Sequence, residues 1–130
     1  MLRLTGSTIR ILLADAVVAS HLTFIGFVLA GGFLSRRWPG LVRWHLVAVA
    51  VTAVIFLAGL DCPLTSIEKD LRRAGGQSAY SGSFVNHYLV RPLPGINSGA
   101  AARLEPFLVV GLVAAGYAMA RAPVSRRRRA

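Results

Sequence analysis

At 130 residues the chain has room for a single domain. Its hydrophobic fraction of 55% and mean hydropathy of +0.58 are high for a water-soluble protein, and the apolar residues gather in long runs. The net charge of +10 sits between those runs, so it reads as the topology signal of a membrane protein and not as a nucleic-acid surface; no nucleic-acid partner is expected.

The basic residues are arginine throughout, with the exception of Lys69, a bias that fits a GC-rich bacterial genome. The only cysteine, Cys62, excludes an intramolecular disulfide and every paired-cysteine metal or haem-attachment motif. With Asp61 before it, Cys62 also lacks the small residue that a lipid-attachment signal needs. The first apolar stretch is interrupted by Asp15 and continues to Leu34, which does not match a cleaved signal peptide.

Three membrane-crossing helices are predicted, at about 11–34, 44–60 and 106–120. A hydrocarbon core of ~30 Å needs roughly 20 helical residues, so the first is long enough and the other two would use their flanks. Between the first two, Ser35-Arg36-Arg37-Trp38-Pro39-Gly40 predicts a tight turn and an antiparallel hairpin, with Trp38 and Trp44 as interfacial anchors.

After Leu60, Asp61-Cys62-Pro63 predicts a stop. Thr65-Ser66-Ile67-Glu68 has the spacing of a capping box, and Gly75-Gly76 would end the helix that follows. Leu64, Ile67 and Leu71 share one face of it, with Lys69, Arg72 and Arg73 away from that face. This predicts a short amphipathic helix, either lying on the membrane surface or packed over the bundle end. Residues 81–97 are too short an apolar stretch to span and predict an interfacial or partly re-entrant segment. Leu104-Glu105-Pro106 is expected to open the last helix, with proline in its first turn and glutamate at its positive end.

The fold expected is therefore an all-α integral membrane domain over 1–130. It comprises a three-helix transmembrane bundle, an interfacial connection at 61–103 and a basic tail at 121–130. Arg126, Arg127, Arg128 and Arg129 would anchor the C-terminus in the cytoplasm of a bacterial inner membrane.

His21 is the most informative single residue, because an ionisable group inside an apolar run costs a few kcal/mol and faces a bundle interior, a cavity or a partner. Its ordinary role would be a hydrogen bond to a neighbouring helix. His45 lies near the start of the second helix, roughly 13 Å from His21 along the hairpin at ~1.5 Å per residue, which disfavours a haem held by that pair. Glu68, Tyr80 and His87, with Asp61 and Cys62 as secondary candidates, place an acid, phenol, imidazole and thiol in one connection. Those groups suit a small ligand or metal site, although no ligand spacing joins them. Small residues four apart, at Gly26/Ala30, Gly111/Ala115 and Gly116/Ala120, would let helices approach closely.

The segments CPLTSIEKDLRR (62–73), YSGSFVNHYL (80–89), ADAVVASHLTFIGFVLAGG (14–32) and RWHL (43–46) resemble a family of small bacterial membrane proteins, domain of unknown function family 2784. The likeness extends over about residues 10–120. The chain departs from the family pattern at Ser66 and Lys69, where proline and asparagine are common. The resemblance implies a polytopic inner-membrane protein and draws attention to His21, His45, Cys62, Glu68, Tyr80 and His87, with no activity attached.

Two functions are expected from these features. The first is a non-catalytic accessory subunit or assembly factor, partnered by another membrane protein or a second copy and by membrane lipids. The alternative is a membrane-embedded binder of haem, metal, quinone or lipid through the 61–103 connection. No cofactor is required by the sequence.

Overall fold

The computed structural model describes residues 5–121, and every regular element among them is helical. Arg126, Arg127, Arg128 and Arg129 lie outside the described residues. Helix α1 spans Gly6–Leu34, and α2 spans Val42–Ala58 behind a 3-10 turn at Pro39–Leu41. They are followed by α3 at Pro63–Ala74, a single π-helical turn at Asn86–Val90, and α4 at Ser98–Arg121. Three stretches are long and apolar enough to cross a membrane: Gly6–Leu34, Pro39–Ala58 and Gly99–Arg121.

Inside the apolar helices several hydroxyl side chains satisfy themselves locally. Ser20, Thr23 and Thr52 each return a hydroxyl hydrogen bond of 2.9 Å to the carbonyl four residues back. The core is small and partly polar, made of Ala14, Val28, Ala48 and Phe84 with His21, Ser35, His45, Thr65 and Glu68. Large apolar residues point the other way: Val47, Val51, Val54 and Leu57 on α2, and Phe107, Leu108 and Val110 on α4, are exposed. Such a distribution suits an apolar surrounding, because each exposed apolar Å² would cost about 25 cal/mol in water.

The helix lengths explain how the pieces fit. At 1.5 Å per residue, α1 is about 43 Å long and α2 about 26 Å. The hairpin therefore leaves roughly 17 Å of the N-terminal half of α1 uncovered, close to the ~18 Å length of α3. Helix α3 occupies that overhang, running antiparallel to α1. Arg72 meets Asp15 at 3.0 Å, Arg10 donates to the Ala74 carbonyl at 3.0 Å, and a Cβ on Gly75 would touch Ile11 and the Ser7 carbonyl. Helices α2 and α3 thus lie end to end along α1, and α3 is packed lengthwise on the bundle.

Helix α4 crosses the other end of α1 backbone to backbone. A Cβ built on Gly32 or Gly116 would lie 3.1–3.2 Å from the main chain of the other helix. The expected pairs at Gly26 and Gly111 do not serve this contact, since nothing lies within 4 Å of a Cβ at either. Sequence spacing alone does not say which glycine meets a neighbour.

Four local expectations are corrected. Helix α2 ends at Ala58 and not Leu60, because Gly59 takes the left-handed conformation (φ +62°) and Leu60 N–H returns to the Ile55 carbonyl at 3.1 Å. The capping box at Thr65 and Glu68 does not form. Helix α3 starts at Pro63, Thr65 is already buried within it, and Glu68 is bonded elsewhere. The buried face of α3 carries Thr65, Glu68 and Arg72, while Ile67 is exposed, because polar partners from 80–88 satisfy that face. Helix α4 opens at Ser98, eight residues before Pro106, since Asn97 Oδ1 accepts the Gly99 N–H at 2.9 Å and caps it. Pro106 stands inside the helix, and Glu105 is carried two turns along it.

Candidate functional site

Glu68 lies at the centre of a polar cluster between α3, α1 and the 80–90 segment, and it is fully buried. Its Oε1 accepts from Arg72 Nε at 2.9 Å and from the Tyr88 hydroxyl at 2.5 Å, and its Oε2 accepts from the Tyr80 hydroxyl at 2.9 Å. Arg72 extends the cluster, donating through Nη2 to Asp15 Oδ1 at 3.0 Å and to Tyr88 at 3.1 Å, and through Nη1 to Gln77 at 3.0 Å. Spacing explains the α3 half: residues 68 and 72 are one turn apart and share a face. The tyrosines arrive because Gly76 (φ +85°) and Gly82 (φ +88°) turn the chain back over α3. Lys69 holds the returning strand of chain, donating to the Gly82 carbonyl at 3.0 Å and sitting 5.0 Å over the Tyr80 ring.

The electrostatics follow from this arrangement. Burial works against the Glu68 carboxylate, but hydrogen bonds from Tyr88, Arg72 and Tyr80, with the Arg72 charge, outweigh it and hold the carboxyl below its ordinary range. Burial and the Glu68 hydrogen bonds push the Tyr80 and Tyr88 hydroxyls up, so both stay protonated donors. Burial disfavours the Arg72 charge, and its bonds to Glu68, Tyr88 and Asp15 more than restore it. His87 stacks on Tyr80 at 3.9 Å with the rings 11° from parallel. Burial and the nearby Arg91, Arg72 and Lys69 charges hold its imidazole below the ordinary value, with Glu68 opposing them.

Beside this cluster a cavity of about 150 Å³ lies between α1, α2 and α4, roofed by 60–65 and 83–85. Its walls are mainly apolar and include Phe24, Phe56 and Phe84. His21 lines it and is 5% exposed; its ring packs on Phe84 with centroids 4.0 Å apart, and its Nδ1 has no hydrogen-bond partner among the described residues. Glu105 lines the same cavity from α4, with no hydrogen bond or ion pair among the described residues. Cys62 and Asp61 stand in the roof of the cavity.

The helix-to-helix hydrogen bond expected of His21 is made by His45 instead. His45 Nε2 donates to the Val28 carbonyl at 2.8 Å; since a carbonyl only accepts, Nδ1 of the neutral ring accepts from the Tyr117 hydroxyl at 2.7 Å. His45 therefore ties α2 to α1 and α4, and it is fully buried against Gly31, where a Cβ would lie 2.0 Å from its ring. Among the described residues no three His, Cys, Asp or Glu side chains converge as a metal site would require.

The structure thus joins Glu68 and Tyr80 directly and brings His87 against Tyr80, while His21 sits on the neighbouring cavity. Trp38 and Trp44 are exposed together at the opposite end, with the Arg43 guanidinium 5.9 Å from the Trp44 ring.

A family model described as Protein of Unknown function (DUF2784) matches residues 11–122. The chain belongs to this family. No curated protein and no solved structure matches it. In this DUF2784 member three of the four segments that carried the resemblance, 14–32, 62–73 and 80–89, assemble around Glu68 and His21, while the fourth, 43–46, supplies His45 to the tie with α1 and α4.

Sequence reasoning missed Glu105, Arg72 and Asp15 as members of these sites. Arg72 was readable from its i,i+4 spacing to Glu68. Glu105 was hidden by Pro106, which made it look like a residue of the first helical turn.

Proposed function

We propose that the protein is a non-catalytic, multi-pass protein of the bacterial cytoplasmic membrane that binds an amphiphilic small molecule in the cavity between α1, α2 and α4. One observation carries this reading: His21 is buried, lines an apolar cavity and leaves its Nδ1 without a hydrogen bond among the described residues, while the half-buried Glu105 reaches the same cavity from α4. Buried polar groups are ordinarily satisfied, and an ionisable side chain at membrane depth marks a ligand or partner site.

Other occupants fit less well. Haem needs axial imidazoles and a larger slot than this cavity, whereas both nitrogens of His45 are engaged and His21 is the cavity's single imidazole among the described residues. A metal would lack donors, as no three ligating side chains meet among the described residues. In this reading the Glu68 cluster holds the cap that roofs the cavity. Trp38 and Trp44 anchor the hairpin at the cytoplasmic face, and the basic tail keeps the C-terminus on that side.

The test is extraction in mild detergent, followed by denaturation and mass spectrometry of the released small molecules, for wild type and for Val109→Trp, which fills the cavity wall. A stoichiometric amphiphile released from wild type and lost from the variant supports the reading. Equal amounts from both, or none from wild type, overturns it.

A second reading, the accessory subunit, draws on Gly26 and Gly111. Both are open small-residue positions on the lipid-facing sides of α1 and α4, where a partner helix would approach closely. A partner protein that co-purifies from wild type and is lost from Gly26→Leu with Gly111→Leu would favour it.

A further inference from the structure

Resting on the binding reading above, we propose that the ligand is a single-ring quinone or quinol, its head seated between His21 and Glu105 and its tail leaving between α2 and α4. Size is the first argument. A cavity of about 150 Å³ matches one six-membered ring, since an engineered apolar cavity of that order accepts benzene.

The walls are the second. Phe24, Phe56 and Phe84 supply aromatic faces, and aromatic pairs favour stacked or edge contacts with another ring. An acyl chain would gain nothing from them beyond its apolar area.

Polar chemistry is the third argument. His21 and Glu105 come from different helices, and each offers hydrogen-bonding capacity that no described residue uses. A quinone presents two carbonyl acceptors on opposite sides of one ring, and a quinol presents two hydroxyls there. A ligand of that symmetry has a use for two hydrogen-bonding groups in one small apolar slot.

The route of entry is the fourth. Helices α2 and α4 each pack on α1 and hardly on one another, and the slit for the tail would run between them. The His45–Tyr117 hydrogen bond closes the slit at one end, and the roof at 60–65 and 83–85 closes it at the other. From His45 to Phe56 along α2 the slit runs roughly 16 Å at 1.5 Å per residue, long enough for the first part of an isoprenoid or alkyl tail. Its flanks are apolar and outward-facing, so a molecule dissolved in the bilayer can enter sideways without passing through water.

The experiment titrates the full-length protein, in phosphatidylcholine nanodiscs, with decylubiquinone and reads the dissociation constant by thermophoresis. A parallel arm labels the protein with a photoreactive palmitic acid and maps the labelled peptides. The expected result is one quinone per chain, binding at least tenfold weaker in His21→Leu and several-fold weaker in Glu105→Gln, with unaltered helical content. His21→Gln serves if the leucine variant does not fold.

Absence of quinone binding with photolabel found on 21–29, 52–56 or 105–109 overturns the ring assignment and leaves the amphiphile reading standing. Quinone binding unaffected by either substitution overturns the placement of the head. Neither quinone binding nor photolabel in those segments overturns both the inference and the function on which it rests.

Discussion

Replacing Glu68 by alanine removes a buried carboxylate on which Arg72, Tyr80 and Tyr88 all converge. Arg72 would keep only the exposed Asp15 (side chain 58% exposed) as a charged partner, and two half-buried phenols would lose their acceptor. Breaking a buried ion pair costs about 3–5 kcal/mol when the other charge is left uncompensated, and the retained Asp15 puts this case at the lower end of that range. Glu68→Gln preserves the shape and lets the tyrosine hydroxyls turn, so it forfeits mainly the charge assistance, about 1–3 kcal/mol. The loss should be local, since the 80–90 segment and α3 depend on this cluster while the α1–α4 crossing depends on Gly32 and Gly116.

The assay pairs unfolding in mixed micelles, followed by circular dichroism, with limited trypsin digestion at Lys69, Arg72 and Arg73. Alanine should speed cleavage at these sites strongly and glutamine moderately, before any loss of the α1–α2 hairpin. A Glu68→Ala protein within about 1 kcal/mol of wild type, with no faster cleavage, would refute the view that this carboxylate holds the cap on α1.

Acidification should loosen the same cap in two stages. His87 is held below its ordinary value of 6.5, so it favours folding above that pH and its contribution falls away as pH drops through the lower folded value. Glu68 is held below 4.5, so its contribution is complete above that pH and disappears at still lower pH. The near-ultraviolet circular dichroism of the tyrosine cluster, recorded from pH 7.5 to 4, should weaken in the upper window for wild type and lose that step in His87→Gln. Gly31→Ala drives a Cβ into the His45 ring, 2.0 Å away, and should cost at least ~1–3 kcal/mol of overpacking, whereas Gly26→Ala, with nothing within 4 Å, should be nearly neutral in the same melt. Tyr117→Phe leaves the buried His45 Nδ1 without its donor and should cost about 1–3 kcal/mol by micelle unfolding. A variant as stable as wild type would mean that this bond does not join α2 to α4.

Much of the architecture was legible because its signals are local. Run length and apolarity identify the three long helices, Trp38-Pro39-Gly40 marks the hairpin, and Pro63 and Gly75-Gly76 bracket α3. The errors were local as well. Gly59 and Asn97 are ordinary stop and cap residues that stand out less in the sequence than the nearby prolines, and Pro106 resembles a helix start because proline is tolerated in a first turn. Glu68, Tyr80 and His87 were found as a set from their chemistry and their common connection, but the sequence contained no spacing that would say which of them touch.

By itself, then, the sequence determined that the chain is helical, that three of its helices are apolar along their length, and that a short polar-faced helix lies between the second and third. Only the tertiary structure decided what that helix does. The unequal lengths of α1 and α2 leave an overhang, and filling it brings Arg72 to Asp15, 57 residues away, and buries Glu68 under two tyrosines. His21 and His45 were separated in the same way. His45 meets Tyr117, 72 residues on, and becomes a structural tie, while His21 faces a cavity and its Nδ1 meets no hydrogen-bond partner among the described residues. Local patterns decide where a helix forms. Which side chains become buried partners depends on how helices of different length pack together, and no short window of sequence records that.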